Sequence, residues 1–242
     1  MDLQFKIHGL EIVEYDIENH SDEVQKLLDE YLLPTYYKRL GITQNERLKY
    51  AEIEDILHPN LAKDPKFNKF SLVAIDENSG KVVALGLSYL ATKENFREDF
   101  VDLNKRISND PNYSQEIRKY CQHRYAVCHP ILEFYDRFGL DKLIYLEDTV
   151  VARKYRGLGV HIVMTNLLTE KFGNEYGFLS EGMIPVEKLL TAEKFIDLEW
   201  NVIGTWRAEG WYTVNRQLSY DGYVCPVNIF PPKSCLEIKS KL

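Results

Sequence analysis

The stretch VARKYRGLGVHIVMTNLLTEKFG, residues 151–173, sets Arg153, Lys154 and Arg156 beside Gly157 and Gly159, ahead of a run with helical apolar spacing. A helix begins with N–H groups that lack intrahelical acceptors, and its dipole places partial positive charge there. Glycines at the mouth of such a helix remove side-chain bulk, so an oxyanion can approach those donors. The cations strengthen the same field. The chemistry this combination suits is phosphate binding, with a pyrophosphate as the natural guest. The pattern G-x-x-x-x-G-K-[ST] is absent, and G-x-G-x-x-G fails because Ile162 stands where the third glycine belongs. The helix is expected to begin near Leu158 to Val160. Val160, Val163, Met164, Leu167, Leu168 and Phe172 are expected to form one apolar stripe against a sheet.

The elements that must position this loop can be read around it. LEIVEYD (10–16) alternates as a strand, and NHSDEVQKLLDEYLLP follows as a helix capped by Asn19 or Ser21 and ended by Pro34. A weaker helix is expected over 44–57. KFSLVAID (69–76), the turn ENSG and KVVALGLSYL (81–90) read as a hairpin. Residues 95–139 carry apolar positions at helical spacing, with Pro130 as a kink, and DKLIYLEDTVV (141–151) is the strand that feeds the loop. After the loop helix, YGFLSEGMI (176–184) reads as a strand and PVEKLLTAEKF (185–195) as a helix with Pro185 in its first turn. From Trp200 the chain is strand-rich, ending in SCLEIKSKL (234–242). No repeat or composition break divides it, so residues 1–242 are expected to form a single α/β domain with a mixed sheet.

The formal charge of −7 argues against generic nucleic-acid binding. No basic region followed by an apolar core opens the sequence, and VVALGLSYLA is too short to cross a bilayer, so a cytoplasmic protein without membrane contact is expected. Cysteines 121, 128, 225 and 235 form no compact framework and read as free thiols. Cys121, His123, Cys128 and His129 lack the paired-ligand spacing of a zinc site, so no metal is expected.

With its strand, turn and helix, Arg156-Gly157-Leu158-Gly159-Val160-His161 resembles motif A of the GNAT superfamily of CoA-dependent N-acyltransferases. His161 departs from the small final residue of that motif. The upstream hairpin and the downstream FLSEGMI add to the likeness, which covers most of residues 10–196. The helical insertion at about 95–140 and the late PP-then-strand ending look most like invertebrate arylalkylamine N-acetyltransferases. The resemblance implies a mixed sheet flanked by helices, with a V-shaped opening between the family's fourth and fifth strands. It also implies acetyl-CoA as co-substrate and a small primary amine, plausibly an arylalkylamine, as acceptor.

Carried over residue by residue, Thr149, Val150 and Val151 would line the pantetheine arm, and Arg156, Gly157, Leu158, Gly159, Val160 and His161 would hold the diphosphate. An ammonium must lose a proton before it attacks a thioester, so a general base is needed. Related enzymes carry Glu-Pro after the first helix, where this chain has Leu33-Pro34. Glu147 on the feeding strand is therefore the expected base, with Asp148 as the fallback. An ion pair with a neighbouring cation is the plainer reading of Glu147. The Tyr that protonates the thiolate in many GNAT enzymes is replaced by Leu190, leaving Ser180, with Tyr176 and Glu181, as possible donors. Tyr31 and Tyr36, with Tyr37, fall where the acceptor wall would stand. The competing reading is an acyl-CoA-binding module with little catalysis.

Overall fold

The computed structural model describes residues 4–34, 61–129, 131–181 and 184–185, and the short segments 202–205, 212–214, 219–220, 223–224 and 227–230. The chain forms two compact units, Met1–Tyr89 with Glu147–Leu167, and Leu90–Leu146 with Leu168–Leu242.

The first unit opens with a hairpin that the sequence pattern did not announce. β1 (Gln4–Ile7) pairs antiparallel with β2 (Leu10–Glu14) across His8 and Gly9, whose φ angles of 52° and 74° suit a tight two-residue turn. The strand expected over 10–16 ends at Glu14, because Tyr15 leaves it to enter the core. Tyr15 N–H donates to Ser71 O at 2.9 Å, and its hydroxyl donates to Ala62 O. That turn makes Asp16, rather than Asn19 or Ser21, the cap of α1 (Ile17–Leu27), accepting from Glu18 N–H at 2.9 Å. Val24, Leu27 and Leu28 are its buried face. A wide π-helical turn over Leu28–Leu32 then delivers Tyr31.

β3 (Leu72–Asp76) and β4 (Val82–Thr92) form the expected hairpin, with Leu72 opposite Gly86 and Ala74 opposite Ala84. Its turn is held by Asp76 Oδ1, which accepts from the N–H groups of Asn78 at 2.8 Å and Ser79 at 2.9 Å. The strand order in this unit is β1-β2-β3-β4-β5, where β5 (Lys142–Val151) enters at Glu147.

α6 (Val160–Phe172) follows, and a Cβ on Gly86 of β4 would stand 3.5 Å from Met164 Cε. The buried residues of α6 are Val160, Met164, Thr165, Leu168 and Thr169. Val163, Leu167 and Phe172, expected in the stripe, are only half-buried. The threonines displace them from the core face. Thr165 manages burial by donating its hydroxyl to His161 O at 2.9 Å.

In the second unit, the expected helical excursion is broken into α2 (Lys93–Phe96), a wide turn over Arg97–Asp102, α3 (Leu103–Asn109), α4 (Gln115–Cys128) and α5 (Ile131–Phe138). Thr92 and Ser114 cap α2 and α4. Phe96, Phe100, Tyr135 and Tyr145 meet in one aromatic cluster. Cys121 and Cys128 are buried free thiols, and burial pushes the Cys121 thiol up to about 12.

Here β5 pairs in parallel with β6 (Gly177–Glu181), from Leu143 opposite Gly177 to Leu146 opposite Ser180. Beyond β6 lie β12 (Val227–Phe230), β9 (Tyr212–Val214) and β8 (Val202–Thr205), all antiparallel. β10 (Ser219–Tyr220), β11 (Tyr223–Val224) and β7 (Ile184–Pro185) make a small second sheet. Pro185, expected in the first turn of a helix, instead lies on an edge strand opposite Tyr223, a position that needs no N–H from it. The strand expected over 176–184 is interrupted after Glu181. The remainder of that helix, the helix over 44–57 and the strand over 234–242 lie outside the described residues, as do Tyr36, Tyr37 and Leu190.

Candidate functional site

The loop after β5 is fixed at its entrance by Ala152 N–H donating to Val83 O at 2.8 Å. Arg153–Tyr155 make a short 3-10 turn, closed by Tyr155 N–H to Ala152 O at 2.9 Å. Gly157 and Gly159 then adopt φ of 85° and 74°, a conformation other residues avoid, which is why glycine occupies both. Beyond their chain neighbours, no heavy atom lies within 4 Å of where a Cβ would stand at either position. Space in front of the loop is open.

Gly159 O accepts the first helical bond, from Val163 N–H at 3.1 Å. The N–H groups of Val160, His161 and Ile162 therefore have no intrahelical acceptor, and Gly159 has no side chain to cap them. Arg156 is exposed, and its Nε donates to Val151 O at 2.8 Å while the guanidinium stands 5.6 Å from the Tyr31 ring centre. This leaves its terminal nitrogens to reach outward. Tyr31, expected on an acceptor wall, thus backs the loop. Hydrogen bonding to Glu30 is the main cause that raises its hydroxyl pKa. Lys154 is 4.0 Å from Asp76 Oδ2 and 4.9 Å from the Tyr155 ring centre. His161 is half-buried in the first helical turn.

On β5, Glu147 and Asp148 are half-buried, and alternation sends them to opposite faces. One oxygen of each, Glu147 Oε2 and Asp148 Oδ2, is shielded from solvent. Thr149 is exposed, Val150 buried and Val151 half-buried. The geometry brings Tyr31, Arg156, Leu158 and the helix-mouth amides to one loop, with Glu147 to Val151 on the strand leading into it.

In the second unit, Ser180 and Glu181 lie on β6, opposite Asn228 and Val227. Tyr176 lies just before the start of that strand, and its hydroxyl is hydrogen-bonded to Glu175, which raises its pKa. Among the described residues, no cluster of three or more His, Cys, Asp or Glu side chains is placed to hold a metal, and no helix is long and apolar enough to cross a membrane.

Sequence reasoning did not foresee Asp76 and Tyr155. Asp76 is 6% exposed, and its Oδ2 accepts from the Tyr155 hydroxyl. That bond, with the Ser79 and Asn78 amides, holds its pKa down at about 2. A carboxyl lowered on folding contributes stability above its unfolded pKa of about 3.9, and the contribution disappears as pH falls through the folded value. Asp76→Asn is therefore expected to lower urea stability at neutral pH. The gap to the unsubstituted chain should shrink as pH falls from about 5 toward about 2. A gap independent of pH would contradict this.

No protein-family model and no curated protein matches the sequence. The fold does match solved structures. A Drosophila melanogaster polyamine N-acetyltransferase superposes with a TM-score of 0.58 at 10% identity, over 91% of this chain and 98% of that one. An agmatine N-acetyltransferase gives 0.55 at 10% identity, over the same shares of 91% and 98%. Arylalkylamine N-acetyltransferase 2 from Aedes aegypti gives 0.53 at 13% identity, over 92% and 98%. The chain has the GNAT fold: a mixed sheet flanked by helices.

Proposed function

We propose that the chain, as one domain, is an acetyl-CoA-dependent N-acetyltransferase that transfers acetyl directly to a small primary amine within a ternary complex. The observation that carries this reading is the loop from Arg156 to His161. Two left-handed glycines, open space, an anchored arginine and three helix-mouth amides converge there, on the fold of amine N-acetyltransferases. These donors suit a diphosphate.

Acetyl-CoA, when bound, supplies the thioester carbonyl that the amine attacks. Arg156 and the N–H groups of Val160 to Ile162 hold the diphosphate, and the backbone of Thr149, Val150 and Val151 lines the pantetheine arm. Glu147 takes the ammonium proton so that the C–N bond can form, with Asp148 as the alternative acceptor. As the C–S bond breaks, Ser180 offers a proton to the thiolate. The acceptor is an arylalkylamine, supported by the tyrosines that follow α1, Tyr36 among them, and by the arylalkylamine enzyme of like fold.

Arg156→Ala is expected to weaken CoA binding about 10- to 100-fold by calorimetry, since charge-assisted hydrogen bonds to an anion are lost. An amine panel of tryptamine, dopamine, spermidine and Lys peptides, with released CoA as the readout, tests the acceptor. No heat of binding for any CoA species would overturn the reading. Leu33 before Pro34 favours the second reading, a weakly catalytic binding module. That module would take up CoA yet release none on any amine.

A further inference from the structure

The β3–β4 turn and the Arg153–Gly159 loop are separated by more than seventy residues in sequence, yet one carboxylate serves both. Asp76 Oδ1 accepts from Asn78 and Ser79 N–H at 2.8 and 2.9 Å, which fixes its own turn. Its Oδ2 accepts from the Tyr155 hydroxyl and lies 4.0 Å from Lys154 Nζ. Asp76 is buried, so this geometry is not a loose surface contact. The same hairpin holds the loop a second time, through Ala152 N–H to Val83 O at 2.8 Å. Tyr155 directly precedes Arg156, whose Nε is bonded to Val151 O. A loop that must present amides to an anion gains affinity when its conformation is set beforehand. Glycines alone would leave that conformation free.

We propose that Asp76 and Tyr155 are positioning residues that hold the anion-binding loop in its binding conformation, so that recognition of the CoA diphosphate depends on the β3–β4 turn. This inference rests on the proposed function. Neither residue need touch the ligand: Tyr155 acts on Arg156 and Gly157 through the chain, and Asp76 acts through Tyr155.

The test uses Tyr155→Phe, which keeps the ring and removes the donor, and Asp76→Asn, which keeps an oxygen for the turn amides. With either variant, the KM for acetyl-CoA and the Kd for CoA should rise about 5- to 20-fold, with kcat at saturating donor changed less than about twofold. Competition by S-acetyl-pantetheine, which lacks the diphosphate, should be unaltered. The double variant should bind no more weakly than Asp76→Asn alone, because both changes remove one interaction. CoA affinity as in the unsubstituted chain, or an equal loss for S-acetyl-pantetheine, would overturn the proposal while the transferase reading stands. Failure of the unsubstituted chain to bind CoA would remove that reading itself.

Discussion

Glu147→Gln should lower kcat by about 100- to 10,000-fold, the range by which a positioned base accelerates proton transfer. The substitution keeps the shape of a side chain that stands half-buried near the end of β5, with Oε2 shielded from water. It removes only the ability to take the ammonium proton. The KM for acetyl-CoA should move little, because the diphosphate donors lie beyond Val151. The acid limb of the kcat/KM profile, where protonation disables the base, should disappear. Asp148→Asn, on the opposite strand face, should change kcat by less than about tenfold. Reversal of the two results would transfer the role to Asp148, and an unaltered profile in both would take the base away from β5.

Phe96→Ala should destabilise the chain by about 3–5 kcal/mol in urea or guanidinium unfolding, with no direct effect on the loop. Phe96 is fully buried, stacked on Phe100 at 5.1 Å between ring centres and edge-on to Tyr145 at 5.2 Å. Tyr135, 6.3 Å away, is fixed by its hydroxyl bond to Ala91 O at 3.0 Å, so it cannot swing in to fill the void. A large cavity term follows from that rigidity. A loss below about 1 kcal/mol would mean that the cluster repacks. The conservative Phe96→Leu should recover more than half of the deficit.

The parts of this molecule that were legible in the sequence are those whose residue types admit few alternatives. Gly157 and Gly159 occupy left-handed backbone, which little else tolerates. The β3–β4 hairpin was legible from two apolar runs around Asn78, Ser79 and Gly80. β1 was not, because QFKI is short, has three exposed residues and carries no buried alternation. Asp16, Asn19 and Ser21 are equally good caps by type, and only the burial of Tyr15 selects the first. Thr165 and Thr169 look polar in sequence, yet they sit on the core face of α6. Tyr31 was assigned to an acceptor wall by its place after α1, and periodicity gives no sign that its ring backs Arg156. The partnership of Asp76 with Tyr155 is invisible for a plainer reason: nothing local links them until β3, β4 and β5 are side by side.

The π-helical turn over Leu28–Leu32 bears on how this chain should be matched to its structural neighbours. Such a turn holds nearly one residue more than an ordinary helical turn, so it resets the rotational phase of everything after it. An alignment that carries the phase of Val24 and Leu27 straight through will compare Tyr31 and Leu33 with side chains that point elsewhere. A one-residue gap placed inside the widened turn restores the correspondence. Only then does the contrast between Leu33-Pro34 and a Glu-Pro pair compare positions that share the same space.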